Sequence, residues 1–597
     1  MTEPAAPDHS VAPAGGRLLL GLAATAVAFA AADNYVVVLA LPDMMASSGL
    51  SAEDLQRGAP IISGFLLGYI AMLPLIGRVA DLRGRLPVLV GCLVVFGLGS
   101  LVTAAAYDLT SVVVGRMIQG VGAGGLLPAT LALVADLYPP QRRGVPLGVV
   151  GAVQEFGNVM GPVYGAVVLA FGDWRDIFLV NLAVGFLMAA VIRRHRATGP
   201  AQLAREAGTR RRTDWVGVLL VAGAVTGLLL VMRQPTRLVT DVTLGLGFLP
   251  VTGTSRWLSP VGLATILLAL LFLLRCLTAG SPLVDLRSWR SLLREIDVWG
   301  ALLLSLALAG VILAFASADP EVQVFSPAGP WLLLGSAVAA VAFWRRNRGV
   351  SHPLVPPQAL AATPAWGALV VSFFVGSALI AALVDIPIFA RLTVYSDSQL
   401  RAALVLVRFL VGLPVGAFLG GWLTHRLPAG VVTAVGMAVA GGGFLQMSRW
   451  GLETLDHPTA TIPLVLAGVG IGLAMAPVNA ALLSATDSAV HGVASALLVV
   501  ARTVGKLVGI SVLTTVGLHR FYAGQADLPA PMDVCPDGSS RCPEFTLLLR
   551  EAGLIQLHTI FLGAAVCCAV AGLVALAVFR HADTREVRTS ALETGVG

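Results

Sequence analysis

A bilayer-spanning helix needs about 20 predominantly apolar residues in a row, and sixteen stretches close to that length run through this 597-residue chain. They lie at 18–42, 58–77, 86–106, 110–136, 145–170 and 174–192, then at 215–232, 258–274, 298–316 and 329–344, and finally at 365–390, 402–424, 430–447, 461–484, 490–517 and 556–579. A chain patterned in this way folds as an all-α polytopic membrane protein, because in hydrocarbon each backbone polar group must find its partner within its own helix. Composition points the same way: 57% of residues are hydrophobic and 12% charged, against about 25% charged in soluble domains. That balance excludes a soluble enzyme, a nucleic-acid binder and a disordered chain. The first stretch is too long, and with Asp33 too acidic, for a cleaved signal peptide, and no A-x-A site follows it.

Arginine placement sets the orientation, since cytoplasmic loops are enriched in basic residues. With the N-terminus inside, 24 arginines fall on the cytoplasmic side and 11 on the other, leaving Arg116, Arg408 and Arg502 within spans. The net charge of +6 is therefore topological, no nucleic-acid partner is needed to account for it, and both termini are expected in the cytoplasm of a bacterial inner membrane.

The spans group as six, four and six. This predicts a cytoplasmic N-terminus at 1–17, a six-helix bundle at 18–194, a basic cytoplasmic loop at 195–214, linker helices at 215–364, a second six-helix bundle at 365–579 with an outer loop at 518–555, and a cytoplasmic tail at 580–597. The four linker helices read as a duplicated hairpin. Asp214 aligns with Asp297, Gly217 with Gly300, Ser259-Pro260 with Ser326-Pro327, and Pro282-Leu283-Val284 with Pro353-Leu354-Val355. Segment 241–251 is apolar but too short to span, so it is expected at the outer interface. A weaker repeat joins the two large bundles: Gly157, Gly161 and Gly165 recur at four-residue spacing as Gly505 and Gly509. Parallel repeats with binding at their interface are a transporter architecture.

Four motifs carry a resemblance. Gly77-Arg78-Val79-Ala80-Asp81-Leu82-Arg83-Gly84-Arg85 resembles the loop motif between helices two and three of the major facilitator superfamily. Arg116-Met117-Ile118-Gln119-Gly120-Val121-Gly122 resembles its fourth-helix motif. Gly157-Asn158-Val159-Met160-Gly161-Pro162-Val163-Tyr164-Gly165 resembles the fifth-helix antiporter motif, with Ala166 where a second glycine is common. Asp173 through Asn181 resembles the start of the sixth helix in 14-span drug:proton antiporters. The stretches 33–38, 153–157, 383–386 and 499–502 resemble an actinobacterial branch of lipid (triacylglycerol-type) and multidrug exporters. That branch has fourteen spans, so one hairpin here is a departure. The resemblance implies a fold of two six-helix bundles plus linker helices and proton-coupled export by alternating access. It implies a gating role for Gly77, Asp81, Arg83, Gly84 and Arg85, a periplasmic lipoprotein partner, and a lipid or lipophilic small molecule as cargo.

An ionisable residue inside a span costs at least ~2.5 kcal/mol, so it is a functional candidate by default. Asp33 is read either as a proton site or as a packing carboxylate bonded to serine or backbone groups. Arg116 needs a partner within the membrane, and Asp33 is the one expected. Glu155 is expected to latch the two halves through Arg502 or Arg408, and both partners stay open; a static packing pair is the plainer alternative. Asp385 repeats the position of Asp33 in the second half and is read either as functional or as part of a solvated rim. Lys506, the one lysine of the chain, either neutralises a lipid headgroup or a carboxylate, or is a bystander. The fifth-helix glycines Gly157, Gly161 and Gly165 permit close helix contact, and Pro162 a kink.

Cys535 and Cys542 lie in the outer loop, where disulfides persist, and are expected to bridge. Cys92, Cys276, Cys567 and Cys568 read as packing residues. The sequence offers no metal, cofactor or nucleophile constellation, so no cofactor and no enzymatic activity are expected. The expected function is proton-coupled export of a hydrophobic or amphipathic substrate such as an acylglycerol, with protons and membrane lipids as further partners. A multidrug:proton antiporter is the alternative, and a nutrient importer or non-transporting scaffold the lesser ones.

Overall fold

The computed structural model describes residues 14–50, 55–139, 143–196, 214–280, 282–284, 286–287, 297–316, 328–351, 353–395, 399–487, 490–526, 529, 534–535, 542–580 and 582. Six helices come first: α1 (Ala14–Ser47), α2 (Leu55–Arg83), α3 (Arg85–Ala105), α4 (Leu109–Leu137), α5 (Gly144–Phe171) and α6 (Trp174–Arg196). Four linker helices follow: α7 (Trp215–Arg233), α8 (Pro260–Thr278), α9 (Val298–Ala316) and α10 (Gly329–Gly349). The chain closes with α11 (Thr363–Leu392), α12 (Gln399–Leu423), α13 (Ala429–Met447), α14 (Thr461–Ser484), α15 (His491–Ala526) and α16 (Pro543–Val578).

Thirteen of these helices are long and apolar enough to cross a membrane, and α2 makes fourteen when its two parts, Pro60–Leu73 and Leu75–Arg83, are counted as one span bent by 44°. Pro74 stands between the parts, and a proline has no N–H for the helical ladder. The expectation of sixteen spans is thus met in helices but not in apolarity. In α5 the run is interrupted by Gln154, Glu155 and Asn158, and in α10 it stops at Arg345 and Arg346. The loop expected at 518–555 is also shorter, because α15 continues to Ala526 and α16 begins at Pro543. Segment 241–251 forms no span; it holds a short turn, Gly245–Phe248, with Val242, Leu246 and Leu249 exposed. The residues before 14 and most of those after 580, which make up the two expected termini, lie outside the described residues, as do most of the basic loop 195–214 and Ser326-Pro327 of the second hairpin.

The two six-helix bundles share one packing plan. In the first, α1 packs on α5, α2 and α3 on α4, and α3 on α6; in the second, α11 packs on α15, α12 and α13 on α14, and α13 on α16. Glycine allows the closest of these approaches. Gly157 lies against the backbone of Ala28 in α1, and Gly505 lies against that of Phe373 in α11. Between α12 and α14 the fit is reciprocal: a Cβ on Gly416 would strike the Val469 carbonyl oxygen, and one on Gly468 would strike that of Phe409. Without a hydrophobic drive between helices in lipid, such close backbone packing is what holds them together. The bundles meet along two seams, α5 against α12 and α2 against α15.

The linker hairpins repeat a local device that the aligned aspartates foreshadow. Asp214 Oδ1 caps α7 by accepting from Gly217 N (3.0 Å) and also accepts from Arg275 Nη2 of α8 (2.8 Å). Asp297 Oδ1 caps α9 by accepting from Gly300 N (2.9 Å) and accepts from Arg346 Nε of α10 (2.7 Å). The bond from Arg275 holds the Asp214 carboxyl below the usual carboxylate range. The first hairpin rests on the flank of the N-terminal bundle, where Met232 and Trp257 join Trp174 and Phe178. The second covers the α2–α15 seam: Ser305 Oγ donates to Ala71 O (2.8 Å), while Leu304 and Phe343 pack with Val79, Val490 and Val493.

A side chain at Gly416 cannot be accommodated by rotamer change, because the obstacle is backbone. Gly416→Val is expected to cost about 1–3 kcal/mol, read as a lower unfolding midpoint of the purified protein in mild detergent. An unchanged midpoint would contradict the close α12–α14 contact.

Candidate functional site

Asp33 is fully buried in α1, and Arg116 of α4 is 1% exposed. Arg116 Nη1 donates to Asp33 Oδ2 at 2.7 Å and to Gln119 Oε1 at 2.6 Å. Gln119 Nε2 in turn donates to Ser100 Oγ of α3 (2.9 Å), whose hydroxyl donates to Phe96 O (2.9 Å). The second carboxylate oxygen of Asp33 accepts from Asn181 Nδ2 of α6. The guanidinium lies 4.3 Å from the Phe65 ring centroid and 5.7 Å from that of Phe178. The predicted Asp33–Arg116 pair is therefore present, and the partners of Asp33 are Arg116 and Asn181. Gln119, Ser100 and Asn181 were given no role from sequence. Gln119 was within reach, since residues three apart share a helix face. Removing one member of so buried a pair costs about 3–5 kcal/mol, so α1, α3, α4 and α6 are tied together through one network.

A cavity of about 290 Å³ opens beside this network. Phe65, the ring under Arg116, also lines the cavity, so the ion pair sits one side chain behind the wall. Most of the lining is apolar; Gln154 and Asn158 of α5 and Arg502, Thr503 and Lys506 of α15 supply polar groups. Arg502 is buried, and its Nε lies 3.3 Å from Ser372 Oγ of α11. Arg408 Nη1 donates to Thr461 Oγ1 (3.2 Å) at the start of α14, within its own bundle. The Glu155 side chain lies outside the described residues, but its turn of α5 and the Arg502 turn of α15 border one cavity. Asp385 in α11 is 2% exposed, which removes the solvated-rim reading, and no hydrogen bond or ion pair reaches it among the described residues.

The loop motif closes one end of the bundle seam. Gly77 and Asp81, four residues apart in α2, share a face that meets the N-terminus of α15, and Arg85 at the start of α3 reaches back to Asp81. Asp81 accepts from Gly492 N (2.9 Å) and Val493 N (3.2 Å), the unpaired donors of a helix start. Arg85 pairs with Asp81 (2.9 Å) and Asp136 (3.4 Å) and donates to Ala80 O (2.8 Å). A Cβ on Gly77 would sit 2.6 Å from Gly492 O, so glycine is required there. Gly84 joins α2 to α3 at φ +87°, a conformation that glycine takes without strain, and Arg83 is exposed beside it. Elsewhere Cys535 and Cys542 form a disulfide, Cys92, Cys276 and Cys568 are buried, and Cys567 is half-buried. Among the described residues, no group of three or more His, Cys, Asp or Glu side chains could hold a metal ion.

The family model of the Major Facilitator Superfamily matches residues 23–344. The chain belongs to the Major Facilitator Superfamily. A triacylglyceride transporter of Mycolicibacterium smegmatis is 33% identical over 583 residues, covering 94% of this chain and 88% of that one. A triacylglyceride transporter of Mycobacterium tuberculosis is 32% identical over 593 residues, covering 96% and 97%. Among solved structures, the proton:xylose symporter XylE matches with a TM-score of 0.50 at 13% identity, over 93% of this chain and 94% of that one; that likeness concerns the fold alone. In this superfamily member, a multi-pass membrane transporter, the Asp81 contact joins α2 of the first bundle to α15 of the second.

Charge-assisted hydrogen bonds are worth about 1.5–3 kcal/mol, so Asp81→Asn is expected to shift the equilibrium toward opening at this end by about tenfold or more. Spin labels on the α2–α3 and α14–α15 turns, in a background without unpaired cysteines, should then report a new longer distance by electron–electron resonance. An unchanged distance distribution would contradict the tie.

Proposed function

We propose that the protein is a proton-driven exporter of acylglycerol-type lipid across the inner membrane, working by alternating access and carrying out no covalent chemistry. The observation that carries the reading is the buried Asp33–Arg116 network one ring away from a mostly apolar cavity. The names of the mycobacterial relatives support the lipid class. The arginine distribution supports cytoplasmic termini and a single orientation in the inner membrane.

The mechanism follows from which charges are balanced. With Asp33 ionised, its pair with Arg116 holds α1 to α4. Protonation of Asp33 removes that attraction and leaves Arg116 with Gln119 and the Phe65 face, so α1 is free to shift relative to α4. Glu155 is assigned the same role across the seam, with Arg502 as its partner, because the two helix turns border one cavity while Arg408 turns toward Thr461. Asp385, buried in the equivalent helix of the second bundle, is the candidate for a further proton. Two states that differ in which carboxylates carry protons give the bistable element that coupling requires. Lipid leaves on the outer side, where a periplasmic lipoprotein takes it up.

The test uses proteoliposomes with an imposed pH gradient, following a fluorescent acylglycerol and ethidium separately. Wild type is expected to move the lipid with the gradient, and Asp33→Asn to fall to the level of empty liposomes. Movement of ethidium alone would favour a multidrug antiporter, and wild-type lipid movement by the variant would overturn the proton role of Asp33.

A further inference from the structure

The polar lining of the cavity is not spread evenly. Val27, Ala30, Leu126 and Leu127 make an apolar wall from α1 and α4, while α15 presents Arg502, Thr503 and Lys506. Arg502 and Lys506 are four residues apart and therefore stacked on one face of α15, one turn above the other. The described lining holds these two cations and no carboxylate. Asp33 is engaged behind the wall by Arg116 and Asn181. Counting the Glu155 carboxylate against Arg502 still leaves the positive charge of Lys506 in excess. No hydrogen bond or ion pair reaches Lys506 among the described residues. Two like charges at this spacing repel, and a cation in an apolar, membrane-embedded cavity is costly without a counter-charge.

A neutral triacylglyceride has ester oxygens to accept hydrogen bonds but no charge to balance an ammonium. We infer that the cavity binds an anionic acyl amphiphile, a hydrocarbon chain ending in a carboxylate or phosphate, with the chain against the α1–α4 wall and the anion held by Lys506 beside Arg502. This rests on the reading above that the cavity is the lipid site, and it adds a charged-headgroup class to the neutral one. Lysine suits the task because its ammonium is a compact point charge on a flexible stem, able to follow a headgroup as the cavity changes shape.

The test titrates the purified full-length protein in detergent with 11-(dansylamino)undecanoic acid, with the methyl ester of that acid, and with a fluorescent triacylglycerol. Wild type is expected to bind the acid at least tenfold more tightly than the ester. Lys506→Met should bring the acid down to the affinity of the ester, and Lys506→Arg should keep the preference. Competition with palmitate and with lysophosphatidate then separates a carboxylate from a phosphate headgroup; displacement by either supports the inference. Equal binding of acid and ester by wild type, or an acid preference that survives Lys506→Met, overturns it. Failure of wild type to bind the triacylglycerol, while it prefers the acid through Lys506, would sink the neutral-lipid reading and leave this one standing.

Discussion

Inside a bilayer there is no water to solvate a charge, so a charge that stays must be balanced by the protein or by what the protein carries. That constraint orders the whole structure. Asp33 and Arg116 persist because each supplies the other's counter-charge, and Gln119, Ser100 and Asn181 take up further bonding positions around them. Asp81 is balanced by Arg85 and by the donors that open α15. Each linker aspartate is balanced by one arginine on the facing helix of its hairpin. In a transporter these balances become mechanism, because moving a proton or an anionic ligand changes which of them hold.

A packing plan repeated in the two bundles supplies the scaffold on which the balances act. The two six-helix bundles share their helix pairings, and Gly157 and Gly505 bring equivalent helices into the same backbone contact. The symmetry is broken where charge is concerned. Asp33 has an arginine, while Asp385 has no described partner; the second bundle instead places Arg502 and Lys506 on the cavity wall. The first bundle thus holds the Asp33–Arg116 network, and the second supplies the two cationic side chains of the cavity lining. The linker hairpins are asymmetric too, since the second covers the α2–α15 seam and leaves α5–α12 without such a cover among the described residues.

Much of this was legible in the sequence because membrane charges are few and must be explained one by one. Asp33 and Arg116 match as lone opposite charges on helices expected to face each other, and the alignment of Asp214 with Asp297 points to the capping device that the two hairpins share. Asn181 was quoted in a motif yet given no task, because its reach to Asp33 depends on how α6 is rotated against α1, which spacing alone does not encode. The end of α15 falls later, and the start of α16 earlier, than the apolar windows imply, because such a window ends where lipid contact ends, whereas a helix continues as long as its own ladder does. The burial of Asp385 depends on how α11 seats within its bundle, a tertiary fact with no local signal. Helix order favours Arg408 as the partner of Glu155 and the resemblance favours Arg502; in the assembled bundles Arg408 lies beside Thr461 and Arg502 beside Ser372.

Proton-driven export requires that lipid binding in the cavity and protonation of Asp33 be linked. The most direct measurement records proton release when acylglycerol is added to purified protein in weakly buffered detergent, for wild type and for Asp33→Asn. The account predicts that wild type releases protons on lipid binding and that the variant, still binding lipid, releases fewer. Equal release by the two proteins, or none by wild type at any pH where it binds lipid, would contradict it.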